Sequence, residues 1–187
     1  MIAYKGFNKN LQAKLGKGTY QYEVGQTYKE DECKTAHNGF HCVEEPLEVL
    51  RWYGNPTDRY CIVQASGDIN EDKEARIACT ELTILKEISK LELVICEAKW
   101  IELHPYRNTG SYVLEDKGIA SRGFAVVRGK NPIAKGKKGD ILCLLQERKN
   151  SREIKKIIVA EVDNDTILSD VYYDIHMKGV GKCAKKN

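Results

Sequence analysis

The chain lacks any apolar run close to the ~20 residues that a membrane-spanning helix needs. It has only 4 prolines among 187 residues, and with 42% hydrophobic residues it does not have the composition of a disordered chain. The opening residues, MIAYKGFNKN, lack the basic stretch and apolar core of a secretory signal. We therefore expect a folded cytoplasmic protein that does not bind membranes.

A disulfide framework is also missing. The cysteines are odd in number, 7, and widely spaced along the chain, which does not suit a set of paired bridges. Three of them lie in apolar runs, in YCIVQA, LVICEA and ILCLL. A cysteine in such a run acts as a small buried hydrophobe, so we expect most of the thiols to be reduced.

Charge is unevenly distributed between the two halves of the chain. Residues 1–104 carry 13 Lys and Arg against 17 Asp and Glu, whereas residues 105–187 carry 17 against 10. Residues 117–139 hold seven basic residues and no acidic one. This stretch is either a solvated loop face or a surface that binds an anionic partner, with nucleic acid as one candidate. The candidate partner-binding residues are Arg128, Lys130, Lys135, Lys137 and Lys138.

The N-terminal half alternates predicted strands with predicted helices. Short apolar or alternating stretches predict strands in GFHCV, RYCIVQASG and ARIACTELTILKEI. Pro46, followed by apolar residues at helical spacing, predicts a helix that ends at Gly54. Ser89 is a suitable cap for a second helix that extends to residue 103.

After HPYRNTG the helical periodicity disappears, and short apolar pieces alternate with glycines. The segments DILCLLQER and EIKKIIVAEVD, joined by KNSR, predict a hairpin. The sequence thus predicts an α+β fold: a mixed domain over residues 1–104, then a basic, all-β, short-repeat-like region over residues 105–187.

Several stretches together resemble an uncharacterised domain family of phage and prophage proteins. They are YKGF, YQYEVGQTY, GFHCVEEPLEVLRWYG, RYCIVQASGDI and KEARIACTELTI. This resemblance implies a phage-type accessory protein without an assigned activity. Together with the charge distribution, it leads us to expect a non-enzymatic module, without cofactor, that binds a host or phage macromolecule.

A second, more distant resemblance is to the ADP-ribosyltransferase-like fold. It is carried by the order of YKG, GFHC with PLEVLRWY, and RYCIVQASGDI, although Lys5 stands where arginine or histidine is expected. The resemblance implies an alternative function, in which the chain binds or turns over NAD. The implied pocket consists of Tyr4, Lys5, Gly6, Phe40, His41 and Glu81, with Glu81 as the carboxylate that orients a ribose hydroxyl.

The residues Cys33, His37, His41 and Cys42 have the chemistry of zinc ligands but not the usual spacing. A strand through residues 39–43 would direct His41 and Cys42 to opposite faces, so we expect no metal site. Nucleophilic catalysis by Cys42 or Cys61 with a histidine base is a further alternative. Within this stretch, His41 is the residue that we expect to have a function.

Overall fold

Most of the predicted apolar runs fold as β-strands. A computed structural model describes residues 1–15, 18–72 and 76–180. The chain divides into two compact units, Met1–Leu93 and Val94–Asn187. This division falls inside a helix, whereas the boundary predicted between residues 104 and 105 lies after it.

The N-terminal unit contains seven described strands. They are β1 (Ile2–Phe7), β2 (Gln12–Leu15), β3 (Gly18–Gln21), β4 (Thr27–Lys29), β5 (Phe40–Val43), β6 (Arg59–Glu71) and β7 (Arg76–Ile88). Five of them form a sheet in the order β4-β7-β5-β1-β6, and β2 pairs with β3 separately. Because β6 also pairs with β7, the strands β1, β5, β7 and β6 pair in a closed ring.

Side-chain alternation fills the interior of this unit. On β1, the buried residues Ala3 and Phe7 face the core, and on β5 Phe40 and Cys42 do so, as the sequence predicts. The rings of Tyr20, Tyr22, Tyr28 and Phe40 pack against one another with centroids 4.9–6.3 Å apart. Aromatic packing of this kind fixes the position of β5 within the unit.

The helix predicted to begin at Pro46 is a short 3-10 helix, Pro46–Arg51, and not an α-helix. Its first five residues are all buried, so it has no amphipathic stripe. The amide of Glu48 donates to the carbonyl of Glu45 at 3.1 Å, the i to i+3 bond of a tight single turn. The segment is only six residues long, and short pieces of this kind are typical of 3-10 helices.

The helix predicted after Ser89 is confirmed as α1 (Lys90–Leu103). The Glu92 amide donates to the Ser89 hydroxyl at 3.2 Å, and the Ser89 amide donates to the Glu92 carboxylate at 2.8 Å. This reciprocal pair is a capping box, which fixes where the helix begins. Pro105 lies two positions beyond the helix, where a proline disfavours further helical residues.

The regular elements described beyond α1 are all strands. They are β8 (Val113–Ile119), β9 (Phe124–Lys135), β10 (Ile141–Glu147), β11 (Ile154–Glu161), β12 (Tyr172–Tyr173) and β13 (Gly179–Val180). The strands β8, β9 and β10 run parallel, and β11 runs antiparallel to β10, which confirms the predicted hairpin. The expectation of an α+β fold therefore holds only in part: the chain is mostly β, with an N-terminal five-stranded sheet and a C-terminal mixed six-stranded sheet.

No helix among the described residues has the length and apolar character needed to cross a membrane.

Candidate functional site

A cleft of about 560 Å³ opens in the N-terminal unit. Four of the six residues that the sequence predicts for a pocket line it: Tyr4, Lys5, Gly6 and His41. Its walls are formed by strands β1 and β5, by the loop before β5 and by the residues after the 3-10 helix. Further lining residues include Asn8, Gln12, Lys14, Trp52, Tyr53, Asn55, Asp58 and Arg76.

Lys5 is a buried charged residue in the wall of this cleft. Its Nζ donates a hydrogen bond to the carbonyl oxygen of His41 at 2.5 Å. The same Nζ lies 5.7 Å from the ring centroid of Phe7 and 5.5 Å from that of Tyr22, within the range of cation–π attraction. Burial lowers the pKa of Lys5 from 10.5 to about 8. At neutral pH its ammonium is therefore a positive charge held against an aromatic interior.

Gly6 is required by the close approach of Tyr53. A Cβ atom added at residue 6 would lie 2.6 Å from Tyr53 Cβ and 2.7 Å from Tyr53 Cγ. No real Cβ makes contacts this short, so Tyr53 occupies its position because residue 6 has no side chain. The hydroxyl of Tyr60 donates to the carbonyl oxygen of Tyr53 at 3.0 Å and supports the same backbone.

His41 is oriented by the loop that precedes β5. Its Nε2 accepts a hydrogen bond from the backbone amide of Ala36 at 3.0 Å, so this nitrogen carries no proton. Burial, followed by the nearby charges of Lys5 and Arg76, lowers the pKa of His41. The imidazole is thus neutral at pH 7, and this hydrogen bond uses its Nε2 acceptor.

The cleft carries an excess of positive charge. Lys5, Lys14 and Arg76 line it, and Asp58 is the acidic residue among the lining residues. The guanidinium of Arg76 is paired with the carboxylate of Asp72 at 2.7 Å. The Asp58 carboxylate already accepts the backbone amide of Asn55 at 2.8 Å. Such a lining attracts an anionic group through Lys14, which is exposed on this concave surface.

Trp52 and Tyr53 add an aromatic wall to the positive lining. Trp52 remains 43% exposed, and the guanidinium carbon of Arg51 lies 5.4 Å from its ring centroid. An exposed indole beside cations is a surface on which a flat ring can stack. Neither Trp52 nor Tyr53 is among the pocket residues predicted from the sequence, although both follow directly after the Pro46–Arg51 turn.

Phe40 and Glu81, the other two predicted pocket residues, do not line the cleft. Phe40 is buried in the core of the unit. Glu81 lies on β7, where its carboxylate pairs with Lys29 Nζ at 2.7 Å and accepts from Ser66 Oγ at 3.4 Å. The lysine hydrogen bond lowers the pKa of Glu81. The ADP-ribosyltransferase-like alternative requires a carboxylate in the pocket. Glu81, the residue predicted for this role, therefore does not lie in the cleft with Gly6 and His41.

Three of the four cysteines of this unit are buried. Cys42 and Cys61 are both buried. Burial raises the pKa of Cys61 to about 12, and a hydrogen bond with Cys79 together with burial raises the pKa of Cys42. A cysteine nucleophile must be a thiolate, and neither Cys42 nor Cys61 is one at neutral pH.

Within the described part of the chain, no group of three or more His, Cys, Asp and Glu side chains is arranged to hold a metal ion.

Two of the predicted partner-binding cations in the C-terminal unit are occupied by internal contacts. Arg128 is buried, and its Nε donates to Glu147 Oε1 at 3.0 Å. Its Nη2 also donates to the carbonyl oxygens of Pro105 and Arg152, each at 3.1 Å. Arg128 is therefore not at the surface, where an anionic partner would meet it.

Lys130 is likewise engaged within the C-terminal unit. Its Nζ donates to the carbonyl oxygens of Arg148 and Ser151, at 2.7 and 2.6 Å, and lies 3.1 Å from Glu147 Oε2. These contacts hold the turn between β10 and β11. They leave the ammonium with little capacity to bind a partner.

The other three predicted cations differ in exposure. Lys137 and Lys138 are exposed. Lys135 is half-buried, and its Nζ lies 5.2 Å from the ring centroid of Tyr172, which Lys117 Nζ approaches to 4.4 Å. The basic stretch therefore presents a smaller positive surface than its composition indicates.

Comparison with known proteins gives one family match. A family model described as a domain of unknown function (DUF7666) matches residues 1–96, which include the N-terminal unit and its cleft. Neither the curated proteins nor the solved structures contain a match to the chain.

Proposed function

The chain belongs to this family of domains of unknown function (DUF7666), and we propose that it is a non-enzymatic binding module whose N-terminal cleft holds a nucleotide unit. The observation that carries the proposal is the convergence of cations and aromatic rings on one concave surface. A nucleotide combines a flat base with an anionic phosphate, and these are the two groups that such a surface complements.

The recognition uses two kinds of contact. The exposed indole of Trp52 offers a stacking surface, and stacking of a base on an aromatic side chain contributes ~1–3 kcal/mol. Lys14 supplies charge for the phosphate, and amide side chains such as Asn8 and Gln12 supply hydrogen bonds. Neutral His41 and buried Lys5 fix the shape of the inner wall.

The nucleotide unit has two candidate sources. The favoured source is a single-stranded nucleic acid, since the cleft is open to solvent and combines an exposed indole with an exposed lysine. The alternative is NAD, favoured by the presence of Tyr4, Lys5, Gly6 and His41 in one cleft. Turnover of NAD has less support than its binding, because Glu81 is paired with Lys29 outside the cleft.

The sources are separated by binding measurements on the full chain. The probes are a fluorescently labelled ten-nucleotide oligothymidine, measured by anisotropy, and unlabelled NAD and inorganic phosphate as competitors. The proposal predicts saturable binding of the oligonucleotide and its recovery unchanged after incubation. Preferential binding of NAD would favour the alternative source, and hydrolysis of NAD would contradict the non-enzymatic assignment. Binding of neither nucleotide would overturn the proposal.

Variants locate the binding to the cleft. Lys14→Ala and Trp52→Leu should each weaken oligonucleotide binding on the order of 10-fold, because each removes one of the two kinds of contact. Lys9→Ala is the matched control: Lys9 is exposed in the same unit and does not line the cleft. Equal loss in Lys9→Ala, or loss only in the Lys137→Ala, Lys138→Ala double variant, would place the binding elsewhere.

A further inference from the structure

Strand β11 is an edge of the C-terminal sheet, because β10 is its only partner strand among the described residues. Its outer side carries a row of backbone N–H and C=O groups that are available to another strand. The strand is 8 residues long, and Ile157 and Val159 remain partly exposed on it. Long apolar edges of this kind invite pairing with a second chain.

Pairing of β11 with a second copy of itself is restricted to certain registers. In an antiparallel pair, directly opposite residues either both turn their N–H and C=O groups toward the partner strand or both turn them away. This orientation alternates from one residue to the next, so residues an even number of positions apart share it. When two identical strands pair, a residue can therefore lie opposite itself or opposite a residue an even number of positions away.

One of these registers matches both the charges and the apolar side chains on the face of β11 that carries Lys155, Ile157, Val159 and Glu161. Centred on Ile158, it places Lys155 opposite Glu161 at both ends of the pair, and Ile157 opposite Val159 on each side of the centre. Lys155 and Glu161 are both exposed. Neither forms an ion pair with another residue in the described ranges, so both charges are available to a partner.

The neighbouring allowed registers are less complementary. The register centred on Ile157 places Lys155 opposite Val159, and the register centred on Val159 places Ile157 opposite Glu161. On this face of the strand, each opposes a charge to an apolar side chain. On the other face, all three registers set Lys156 opposite an apolar residue, so that face does not distinguish them. Lysine on an edge strand ordinarily discourages pairing, whereas in the Ile158-centred register Lys155 meets an opposite charge.

We propose that the chain forms a two-fold symmetric dimer by antiparallel pairing of β11 with β11 of a second copy, centred on Ile158. The interface uses the same residues on both copies, as two-fold symmetry requires. Cross-strand ion pairs and apolar pairs are the contacts that stabilise such a sheet. This inference does not depend on the proposed function, since β11 is part of the C-terminal unit.

The test is the molecular mass of the full chain across a concentration series, measured by light scattering after size exclusion. The wild type should dimerise. Lys155→Glu and Glu161→Lys should each raise the dimer dissociation constant on the order of 10-fold or more, because each sets like charges opposite one another twice. An equimolar mixture of the two variants should dimerise again, because each introduced charge then faces the opposite charge.

The mixture separates loss of pairing from loss of folding, because a misfolded variant would not recover on mixing. Lys149→Glu is the control: it makes the same charge change at an exposed turn residue outside the strand. A wild type that stays monomeric throughout the series would overturn the proposal. Dimerisation of the single variants that equals the wild type, or no recovery in the mixture, would also overturn it.

Discussion

The ring of Tyr53 lies directly over the backbone of Gly6, so close that a Cβ atom at residue 6 would be 2.6 Å from Tyr53 Cβ. Both residues line the cleft, and their contact joins strand β1 to the segment after the 3-10 helix. The shape of the cleft therefore depends on the absence of a side chain at one position.

Gly6→Ala should destabilise the N-terminal unit by about 1–3 kcal/mol, because the added methyl group overpacks the contact with Tyr53. Chemical denaturation followed by circular dichroism measures this change in the free energy of unfolding. The double variant Gly6→Ala, Tyr53→Ala provides the control. The loss in free energy of unfolding caused by Gly6→Ala should largely disappear when Tyr53 is already alanine. If the double variant instead loses the sum of the two single losses, the contact between residues 6 and 53 would be contradicted.

The buried ammonium of Lys5 should make the stability of the chain depend on pH in the alkaline range. Burial lowers the pKa of Lys5 to about 8 in the folded state, against 10.5 ordinarily. Below pH 8 the residue is protonated in both states, so the folded state bears the full cost of the buried charge. Between pH 8 and 10.5 the unfolded state binds the proton and the folded state does not, so stability should rise with pH.

The free energy of unfolding of the wild type relative to that of Lys5→Met should therefore rise by about 3 kcal/mol across this range. Denaturant titrations of both proteins between pH 7.5 and 10.5 measure the difference, with the variant as reference for every other titrating group. A difference that is constant with pH, or that falls, would show that Lys5 keeps an ordinary pKa.

Glu147→Gln should destabilise the chain by about 3–5 kcal/mol, because it leaves the buried guanidinium of Arg128 without its opposite charge. Trp100 lies in the same unit, so its fluorescence in a Trp52→Phe background reports this unfolding. Glu153→Gln is the matched control, since it removes an ion pair with Arg148 that is exposed on both sides. The control should cost less than about 1 kcal/mol, and equal costs would contradict the assignment.

The thiols should differ in their reactivity toward iodoacetamide. Cys33 and Cys96 are partly exposed, whereas the other four described cysteines are buried. In a Cys183→Ser background, which removes the cysteine outside the described residues, these two should be alkylated first. Peptide mass spectrometry of the native chain and of the chain in denaturant measures the order. Early modification of Cys61 in the native chain would contradict its burial.

The strands were predictable where the local pattern agrees with the tertiary environment. Phe40 and Cys42 alternate with His41, and the structure places the first two in the core and His41 at the cleft. The Pro46–Arg51 turn was predicted as a helix with one buried face, whereas it is a 3-10 helix whose first five residues are all buried. Apolar residues at helical spacing do not distinguish that environment from one buried face.

The residues of the cleft could be predicted only where they lie in a short stretch with a recognisable pattern, such as YKG or GFHC. Gly6 and His41 belong to such patterns, whereas Lys14 and Arg76 reach the cleft from different strands. Charge clustering does not reveal that Arg128 is buried and pairs with Glu147, which is 19 residues away. Sequence position does not reveal which cations a fold pairs internally, since pairing across strands is set by register.

The most direct test of the proposed function is the fluorescence of Trp52 in a Trp100→Phe variant, in which Trp52 is the remaining tryptophan. Titration with unlabelled ten-nucleotide oligothymidine should change this fluorescence in a saturable way, because a base stacks on the indole. The added substitution Lys14→Ala should shift the curve to higher concentration on the order of 10-fold. Oligonucleotide binding that leaves the fluorescence of Trp52 unchanged would contradict a nucleotide site in this cleft.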